Sequence, residues 1–329
     1  MTETQLHVPD PSELAQPISD PLSDVLGMLK LNGTFHCQSR LTAPWAIAVP
    51  EFPDVLSFFV PMQGRCWLRR TGEAPVLVDQ GSLVILTDVR PFDVSSDVDT
   101  PTVTLEALPI RKVSDVYETL SYGGGGDETR LMFGILRFDR AAGAMLIDQL
   151  PDMLQVEAWT SASGWLTATL QFIAREAADL KPGGEAVILR LADVVIIEAI
   201  RSWAAVAPEA DGGWLGALRD PQIARAIAAI HGAPGQDWTL VRLAQTAGMS
   251  RSAFAARFSQ QMGTSAMRYL AYWRMMKGRD MLLMSSRPIA GIAADLGYQS
   301  EPAFSRAFRR QFGAPPGQVR KASAEASAR

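Results

Sequence analysis

The spacing of apolar residues predicts an all-β segment in the first part of the chain. From residue 21 to residue 140, short apolar runs such as VLSFFV, SLVIL and LMFGILRF alternate with turn sequences such as RTGEAP and VDQGS. Short strands separated by Gly- and Pro-rich turns are typical of a β-sandwich or a β-barrel. We therefore predict a β-barrel domain over residues 21–140. Residues 1–20 are acidic and contain proline, and they are predicted to be a flexible arm.

The periodicity becomes helical over residues 141–206. In GWLTATLQFIAREAADL, the residues Trp165, Leu166, Leu170 and Ile173 recur at the spacing of one helix face. The next helix, AVILRLADVVIIEAIRSWAAV, is apolar around most of its circumference, which is more than one core-facing stripe requires. Either it is a central core helix, or its second apolar face contacts another subunit. The second alternative makes this region a candidate for homodimer formation.

A repeated motif follows a Pro- and Gly-rich linker, which is predicted over residues 207–221. The segment 243–263, LAQTAGMSRSAFAARFSQQMG, matches the segment 292–313, IAADLGYQSEPAFSRAFRRQFG. Each copy contains a short helix, a glycine turn, a serine N-cap and a second helix with large apolar residues four positions apart. The pattern predicts an all-α tandem of two helix-turn-helix units over residues 222–320, followed by a flexible tail over residues 321–329.

Charge is divided unevenly between the two parts of the chain. Residues 221–329 contain 15 Lys and Arg against 5 Asp and Glu, a formal charge of +10. Residues 1–220 contain 16 against 30, a formal charge of −14, and the whole chain therefore has −4. A basic module attached to an acidic body indicates a polyanionic partner for the basic part.

The last helix of the second repeat has an apolar face and a cationic face. On a helical wheel, Phe304, Phe308 and Phe312 fall on the side opposite the arginines. The planar guanidinium binds bidentately to phosphate or to guanine O6 and N7, so the pattern predicts binding to double-stranded DNA. Glu301 either stabilises the helix N-terminus or accepts a hydrogen bond from cytosine. The candidate contacts of this helix are Ser300, Glu301, Ser305, Arg306, Arg309 and Arg310.

The first repeat and the connecting helix supply the other candidate DNA contacts. The corresponding helix of the first repeat offers Arg251, Ser252 and Ala256, and it is far less cationic than its counterpart. It is predicted to contact base edges through apolar or hydroxyl groups, or to bind more weakly. Between the repeats, residues 265–286 predict one helix about 30 Å long, which suits two major grooves about 34 Å apart on one face of DNA. Its Arg268 and Arg274 either contact phosphate or are solvent-facing or intrahelical charges.

Several of these motifs resemble the AraC/XylS family of bacterial transcription regulators. The segments LAQTAGMS, AFAARF, YWRM and PIAGIAADLGYQSEPAFSRAFRRQFGAPP carry the closest likeness. The segment LTAPWAIAVP, with the one from VPMQGRCWLRRTGEAPVLVDQGSLVIL to GGGGDETRLMFGILRFD, resembles the cupin-type effector domain of that family. The resemblance implies an effector-sensing barrel, a helical dimerising region and a DNA-binding pair of helix-turn-helix units. It also implies promoter DNA and RNA polymerase as partners in a bacterial cytoplasm.

The sequence departs from the family pattern at two positions. Similar sensor domains often have a histidine shortly after the glycine-containing turn, where this chain has Phe92. Many relatives have a basic residue at the position of Ala256. Any effector chemistry that uses the histidine is therefore in doubt, and the first recognition helix is expected to contact DNA differently from that of its relatives.

The residue inventory argues against an enzyme. A metal-dependent cupin needs clustered histidines with a carboxylate, and the three histidines are His7 in the arm, His36 in the barrel and His231 in the basic half. We predict no metal, no cofactor and no catalytic residue. The GGGGDE sequence at 123–128 lacks the Lys and Ser/Thr of a phosphate-binding loop. Cys37 and Cys66 are too few for a disulfide framework and are predicted to be inert core thiols.

The sensor domain is predicted to bind a small, mostly apolar effector. Aromatic residues of the barrel either line a pocket or fill the core, and the candidates are Trp45, Phe58, Phe59 and Trp67. Two alternatives stay open: a cupin-type enzyme fused to a DNA-binding module, and a DNA-binding protein without an effector. The chain has no sequence typical of a membrane span or a secretory signal, so we expect a cytoplasmic protein associated with the nucleoid.

Overall fold

The computed structural model describes most of the chain and divides it into two compact units. The described residues are 20–28, 32–52, 55–88, 90–114, 116–138, 143, 146–156, 164–178, 181–206 and 213–327. Residues 29–208 form one unit, here called the sensor unit, and residues 1–28 with 209–329 form the other, here called the helical unit. The predicted arm lies outside the described residues, apart from Asp20.

The strands of the sensor unit form two sheets. Their bounds are β1 (Asn32–Thr42), β2 (Ala46–Val49), β3 (Val55–Gln63), β4 (Cys66–Arg70), β5 (Val76–Val78), β6 (Leu83–Leu86), β7 (Phe92–Ser95), β8 (Val103–Thr104), β9 (Ile110–Lys112), β10 (Tyr117–Gly123), β11 (Glu128–Arg137) and β12 (Met153–Val156). One sheet has the order β12-β6-β3-β11-β1-β10-β9, and the other has the order β5-β4-β7-β2-β8. Neighbouring strands are antiparallel except β1 with β10 and β2 with β8.

The core of the sensor unit lies between these two sheets. Leu41 and Phe59 from the first sheet pack with Ile47, Leu68 and Phe92 from the second. The alternation along β4 shows how the sequence produces this layer, because Cys66, Leu68 and Arg70 are buried while the intervening residues are not. The prediction of a cupin-like β domain is confirmed, and its architecture is that of two facing sheets.

Strand β12 corrects the predicted all-helical character of residues 141–206. Met153–Val156 pairs antiparallel with the edge strand β6. Asp152, just before β12, accepts a hydrogen bond at 3.3 Å from the buried Arg70 on β4. This ion pair bridges the start of β12 to the opposite sheet, and its partners are 82 residues apart in sequence. Local periodicity could not reveal such a pairing.

Two helices complete the described part of the sensor unit. Helix α2 (Gly164–Ala178) packs against α3 (Gly184–Val206) through buried residues that include Leu166 and Leu170. Helix α3 also lies against β1 and β12, and it buries Ile188, Val195 and Ile196. Among the residues that the structure describes, no helix combines the length and the apolar character needed to span a bilayer.

The helical unit contains the predicted tandem of helix-turn-helix units. Its helices are α1 (Pro21–Met28), α4 (Gly213–Arg219), α5 (Pro221–Gly232), α6 (Leu240–Ala247), α7 (Arg251–Met262), α8 (Ala266–Met284), α9 (Ile289–Asp295), α10 (Glu301–Phe312) and α11 (Pro316–Ser327). The pairs α6–α7 and α9–α10 are the two motifs, and α8 connects them. The serine N-caps form as predicted, since the hydroxyl oxygens of Ser250 and Ser300 accept hydrogen bonds from the backbone N–H groups of Ala253 and Ala303.

Three predicted boundaries differ from the structure. Residues 213–219 of the predicted linker form α4, because Trp214 is buried and its indole N–H donates to the Tyr269 hydroxyl at 2.8 Å. The predicted tail is helical as far as Ser327, and Arg320 of α11 donates to the Arg287 carbonyl at 2.6 Å. The first linker residues, 207–212, lie outside the described residues, and the last two are the N-cap and the first residue of α5.

The third difference concerns α1, which was predicted to begin the β domain. It belongs to the helical unit, where it buries Val25 and Leu26. Its Asp24 carboxylate lies 3.2 Å from Nδ1 of the buried His231 on α5. Burial lowers the pKa of His231, and the hydrogen bond and charge of Asp24 oppose that shift. A contact across 207 sequence positions therefore assigns α1 to this unit.

Candidate DNA-binding surface and interior cavity

Helix α10 has the two predicted faces. Phe304 and Phe308 are fully buried, and the half-buried Phe312 has its ring centroid 4.6 Å from that of Phe308. Arg306, Arg309 and Arg310 are exposed on the other side, and none of them forms an ion pair or side-chain hydrogen bond with any residue in the described ranges. The helix is thus held by its phenylalanines and presents three unpaired guanidinium groups.

The start of α10 presents further polar groups. Ser300 and Glu301 are exposed, whereas Ser305 is half-buried and is less available than the arginines. The Ser300 oxygen accepts the capping hydrogen bond, which leaves its hydroxyl proton able to donate to a phosphate. Pro302 in the first turn removes no intrahelical hydrogen bond. The N-terminus of α10, with its backbone N–H groups, and the three cations of the helix together form a suitable site for a polyanion.

Helix α7 is less cationic, as predicted, and the structure adds a reason. Arg251, Ser252 and Ala256 are exposed. The remaining arginine of this helix, Arg257, forms an ion pair at 2.5 Å with the carboxylate of Asp220, the N-cap residue of α5. Arg257 is therefore partly neutralised, and Arg251 carries the unpaired charge of α7 among the residues that the structure describes.

The two candidate arginines of the connecting helix α8 have different environments. Arg268 is exposed and free of ion pairs within the described ranges. Arg274 is half-buried, and it donates from Nε to the Pro234 carbonyl at 2.7 Å and from a terminal nitrogen to the Gln236 carbonyl at 2.9 Å. Burial lowers its pKa. Two of its three guanidinium nitrogens bind the backbone of another segment, so Arg274 is neither an intrahelical nor a purely solvent-facing charge. A contact of Arg274 with phosphate stays a prediction.

A cavity of about 230 Å³ lies between the two sheets of the sensor unit. Of the four candidate aromatic residues, only Phe59 lines it. Phe58 immediately precedes Phe59 in β3 and points to the opposite face of the sheet. Trp45 is buried in the core, and Trp67 is half-buried and does not line the cavity. Most of the lining is aliphatic and comes from both sheets: Leu41, Ile47, Val49, Val94, Leu120 and Leu131.

Phe92, which stands where the resemblance leads us to expect a histidine, also lines the cavity. Its ring is stacked on that of Phe59, with centroids 6.4 Å apart and planes 16° apart. The polar part of the lining consists of Cys37 and Ser39 on β1 and Glu118 on β10. Burial raises the pKa of Cys37 to about 11 and that of Cys66 to about 12, so both thiols are protonated at neutral pH. The cavity is therefore an apolar chamber with one polar wall.

The residues that could bind a metal are not grouped in the described part of the chain. No cluster of three or more His, Cys, Asp or Glu side chains with metal-binding geometry occurs there. His7 and the side chain of His36 lie outside the described residues. His231, the remaining histidine, has its ring stacked on Trp273 with centroids 3.4 Å apart, and its Nε2 lies 2.7 Å from the Tyr269 hydroxyl.

Comparison with known proteins extends over almost the whole chain. Residues 20–205 match a cupin family, and residues 243–322 match a helix-turn-helix domain family. The chain is 35% identical over 308 residues to an AraC-like transcription regulator of Streptomyces antibioticus, covering 92% of this chain and 98% of the relative. A similar regulator of Streptomyces lividans is 33% identical over 305 residues, covering 92% and 98%. The HTH-type transcriptional regulator AlkR of Acinetobacter baylyi is 27% identical over 307 residues, covering 92% and 100%.

Proposed function

The chain belongs to the AraC-like family of transcription regulators, and from this premise we propose that it binds promoter DNA with α7 and α10 in two adjacent major grooves. The observation that carries this proposal is the face of α10 on which Arg306, Arg309 and Arg310 are exposed without an ion pair or side-chain hydrogen bond among the described residues. A cationic recognition helix suits a groove whose edges and phosphates are hydrogen-bond acceptors. Ser300 and Arg268 are proposed to contact phosphate.

The two recognition helices are proposed to read DNA in different ways. Helix α10 acts through bidentate arginine contacts, and Glu301 at its start accepts from cytosine or stabilises the helix end. Helix α7 acts through Arg251, Ser252 and the methyl group of Ala256, which suits a thymine methyl. The asymmetry implies that the two halves of the operator differ in composition. It also implies that most of the electrostatic attraction comes from the second half.

The salt dependence of DNA binding tests the proposal. Fluorescence anisotropy with an operator selected from a random duplex library should show affinity that falls steeply as salt rises. Each phosphate neutralised contributes roughly one log unit of affinity per log unit of salt. An affinity that is independent of salt would contradict a cationic DNA-binding surface.

We propose that the cavity of the sensor unit binds a small, largely apolar effector. The aliphatic and aromatic lining and the stacked pair Phe59 and Phe92 support an apolar body. The wall formed by Cys37, Ser39 and Glu118 supports one polar group on the effector, oriented toward β1 and β10. RNA polymerase as a partner and a cytoplasmic location are proposals that rest on family membership alone.

A thermal-shift screen with small hydrocarbons, phenols and alcohols tests the cavity. A probe that binds the folded sensor unit raises the melting temperature, and saturation at 100 times Kd contributes about 2.7 kcal/mol. The substitution Val49→Phe should abolish the shift, because Val49 lines the cavity and the larger ring fills it. Val113→Phe, at an exposed position outside the cavity lining, is the control. A shift that survives in Val49→Phe would mean that the probe binds elsewhere, and no shift with any probe would favour regulation without an effector.

We also propose that two copies of the chain associate through α3. Val187 and Val194 are exposed on this helix and lie seven residues apart, which places them on one face. Phe172 on α2 is also exposed, at 50%. These three residues form apolar surface on α2 and α3 that the core of the sensor unit does not bury. A second copy of the chain would bury this face.

A further inference from the structure

The connecting helix α8 packs against each helix-turn-helix unit with a different stretch. Near its start, Tyr269 lies edge-on to Phe258 of α7 at 5.9 Å, and Trp273 stacks on His231 of α5. Near its end, Gly278 faces α10 so closely that an added Cβ would come 2.9 Å from the ring of Phe304. The start of α8 thus packs on the first part of the domain and its later part packs on the second unit, and Arg274 lies between these two stretches.

The loop that leads from α5 into the first helix-turn-helix unit touches the second unit directly. Gly235, in the loop between α5 and α6, lies against the last residue of α9, and an added Cβ would fall 1.9 Å from the Asp295 carbonyl oxygen. Gly297, in the turn of the second unit, has φ +74° and faces the same loop, where its Cβ would fall 2.5 Å from the Gly235 carbonyl oxygen. Neither position has room for a side chain, so the two backbones meet.

Arg274 binds both sides of this contact. Its two hydrogen bonds go to the carbonyls of Pro234 and Gln236, on either side of Gly235. Its guanidinium carbon lies 5.9 Å from the ring centroid of Tyr298, the residue after Gly297, and a Cβ on Gly297 would come 3.0 Å from its terminal nitrogen. The Arg274 side chain of the connecting helix therefore contacts both the α5–α6 loop, which leads into the first unit, and the turn of the second unit.

The loop that receives Arg274 is itself fixed. The backbone N–H of Gln236 and the indole N–H of Trp238 both donate to the Ala233 carbonyl, at 3.1 Å and 2.9 Å. The guanidinium of Arg242 donates to the Asp237 carbonyl at 2.8 Å. Because these hydrogen bonds hold the loop, its contacts with the second unit couple the position of the second unit to that of the first.

We propose that Arg274, Gly235 and Gly297 form a clasp that fixes the relative orientation of the two helix-turn-helix units. The clasp would thereby set the one half-site spacing that the protein accepts. This inference rests on the proposed binding of both units to DNA. Two rigidly linked recognition helices bind together only when the half-sites have the matching distance and rotation along the duplex. With the clasp open, each unit keeps its own half-site, while the advantage of linked binding decreases.

In vitro selection from a random duplex library tests the clasp. Full-length wild-type protein should select two sequence boxes at one spacing. Arg274→Ala and Arg274→Lys should still select both boxes, but over a range of spacings that differ by one or more base pairs. Lysine keeps the charge and cannot span two carbonyls with a planar fork. On the wild-type operator, both variants should bind about 10- to 100-fold more weakly, while their affinity for a single box and its salt dependence remain within about twofold of wild type.

Two further variants separate the clasp from general destabilisation. Gly235→Ala keeps Arg274 and forces the backbones apart, and it should broaden the spacing in the same way. Arg225→Ala is the matched control, because Arg225 on α5 also donates to a backbone carbonyl, that of Ala247 at 2.9 Å, but this bond joins α5 to the first unit and does not involve the second. It should keep the single spacing.

The possible outcomes distinguish the clasp from the proposed function. A single spacing retained by Arg274→Ala and Gly235→Ala would overturn the clasp. An Arg274→Ala variant that loses affinity equally for the full operator and for single boxes would also overturn the clasp, because it would show that Arg274 supports folding. A reduced salt dependence of Arg274→Ala, with Arg274→Lys like wild type, would assign Arg274 to a phosphate contact and overturn it too. A wild-type selection that yields no pair of boxes would contradict the two-groove function on which the clasp depends.

Discussion

Replacing Arg306, Arg309 and Arg310 together by alanine should abolish the binding of α10 to its half-site of the operator, while α10 remains folded. The three guanidinium groups are exposed and unpaired among the described residues, so their removal leaves no buried charge without a partner. Each arginine that reads a base contributes about 1–3 kcal/mol. The combined loss should therefore be at least about 100-fold in Kd, measured by fluorescence anisotropy on the selected operator.

Single substitutions divide the three arginines by role. An arginine that reads a base should, when replaced by alanine, relax sequence preference at one position. An arginine that contacts phosphate should weaken binding equally on all sequences and lower the salt dependence by about one unit. Lys321→Ala on α11 is the control, because it removes an exposed cation of the helical unit that lies outside α10 and is 3.8 Å from the Glu325 carboxylate. Operator affinity that is unchanged in the triple variant would mean that α10 is not a recognition helix.

Val194→Asp should convert a dimeric chain into a monomer. Val194 is 48% exposed near the middle of α3, and a carboxylate placed there in a dimer interface would be desolvated without a cationic partner of its own. The expected readout is a halving of the mass in sedimentation or light scattering, with the melting temperature of the sensor unit nearly unchanged. Deleting residues 221–329 should leave the dimer intact.

Val113→Asp is the matched control for this substitution. Val113 has the same 48% exposure and lies in the sensor unit, away from α3. It should leave the mass in solution unchanged. A wild-type chain that is monomeric at micromolar concentration would contradict the proposed use of α3, and a Val194→Asp variant that stays dimeric would place the interface elsewhere.

The position of Phe92 bears on the kind of effector that the cavity suits. At this position, where the resemblance led us to expect a histidine, Phe92 lines the chamber and stacks on Phe59. A histidine there would offer a metal ligand or a hydrogen bond, whereas a phenylalanine offers apolar surface alone. The identity of this one residue therefore favours an effector recognised mainly by shape and burial, with the polar wall of β1 and β10 orienting it.

Sequence alone predicted the features that depend on neighbouring residues. The serine caps, the glycine turns and the opposite faces of α10 all follow from spacings of three and four residues, because an α-helix repeats every 3.6 residues. The buried positions Tyr269, Leu270, Trp273 and Met276 of α8 also recur at this helical spacing. Local chemistry thus determined both helix-turn-helix units and the surface proposed to bind DNA.

Only the tertiary structure decided the features that depend on distant residues. Alternation along β3 made Phe58 and Phe59 equally good candidates, and the position of the facing sheet decided that Phe59 lines the cavity. The partner of Asp24 is 207 positions away and the partner of Arg274 is 40 away, so no local pattern showed that α1 joins the helical unit or that Arg274 turns inward. The physical reason is that a side chain's role depends on what packs against it, and here those partners come from other parts of the chain.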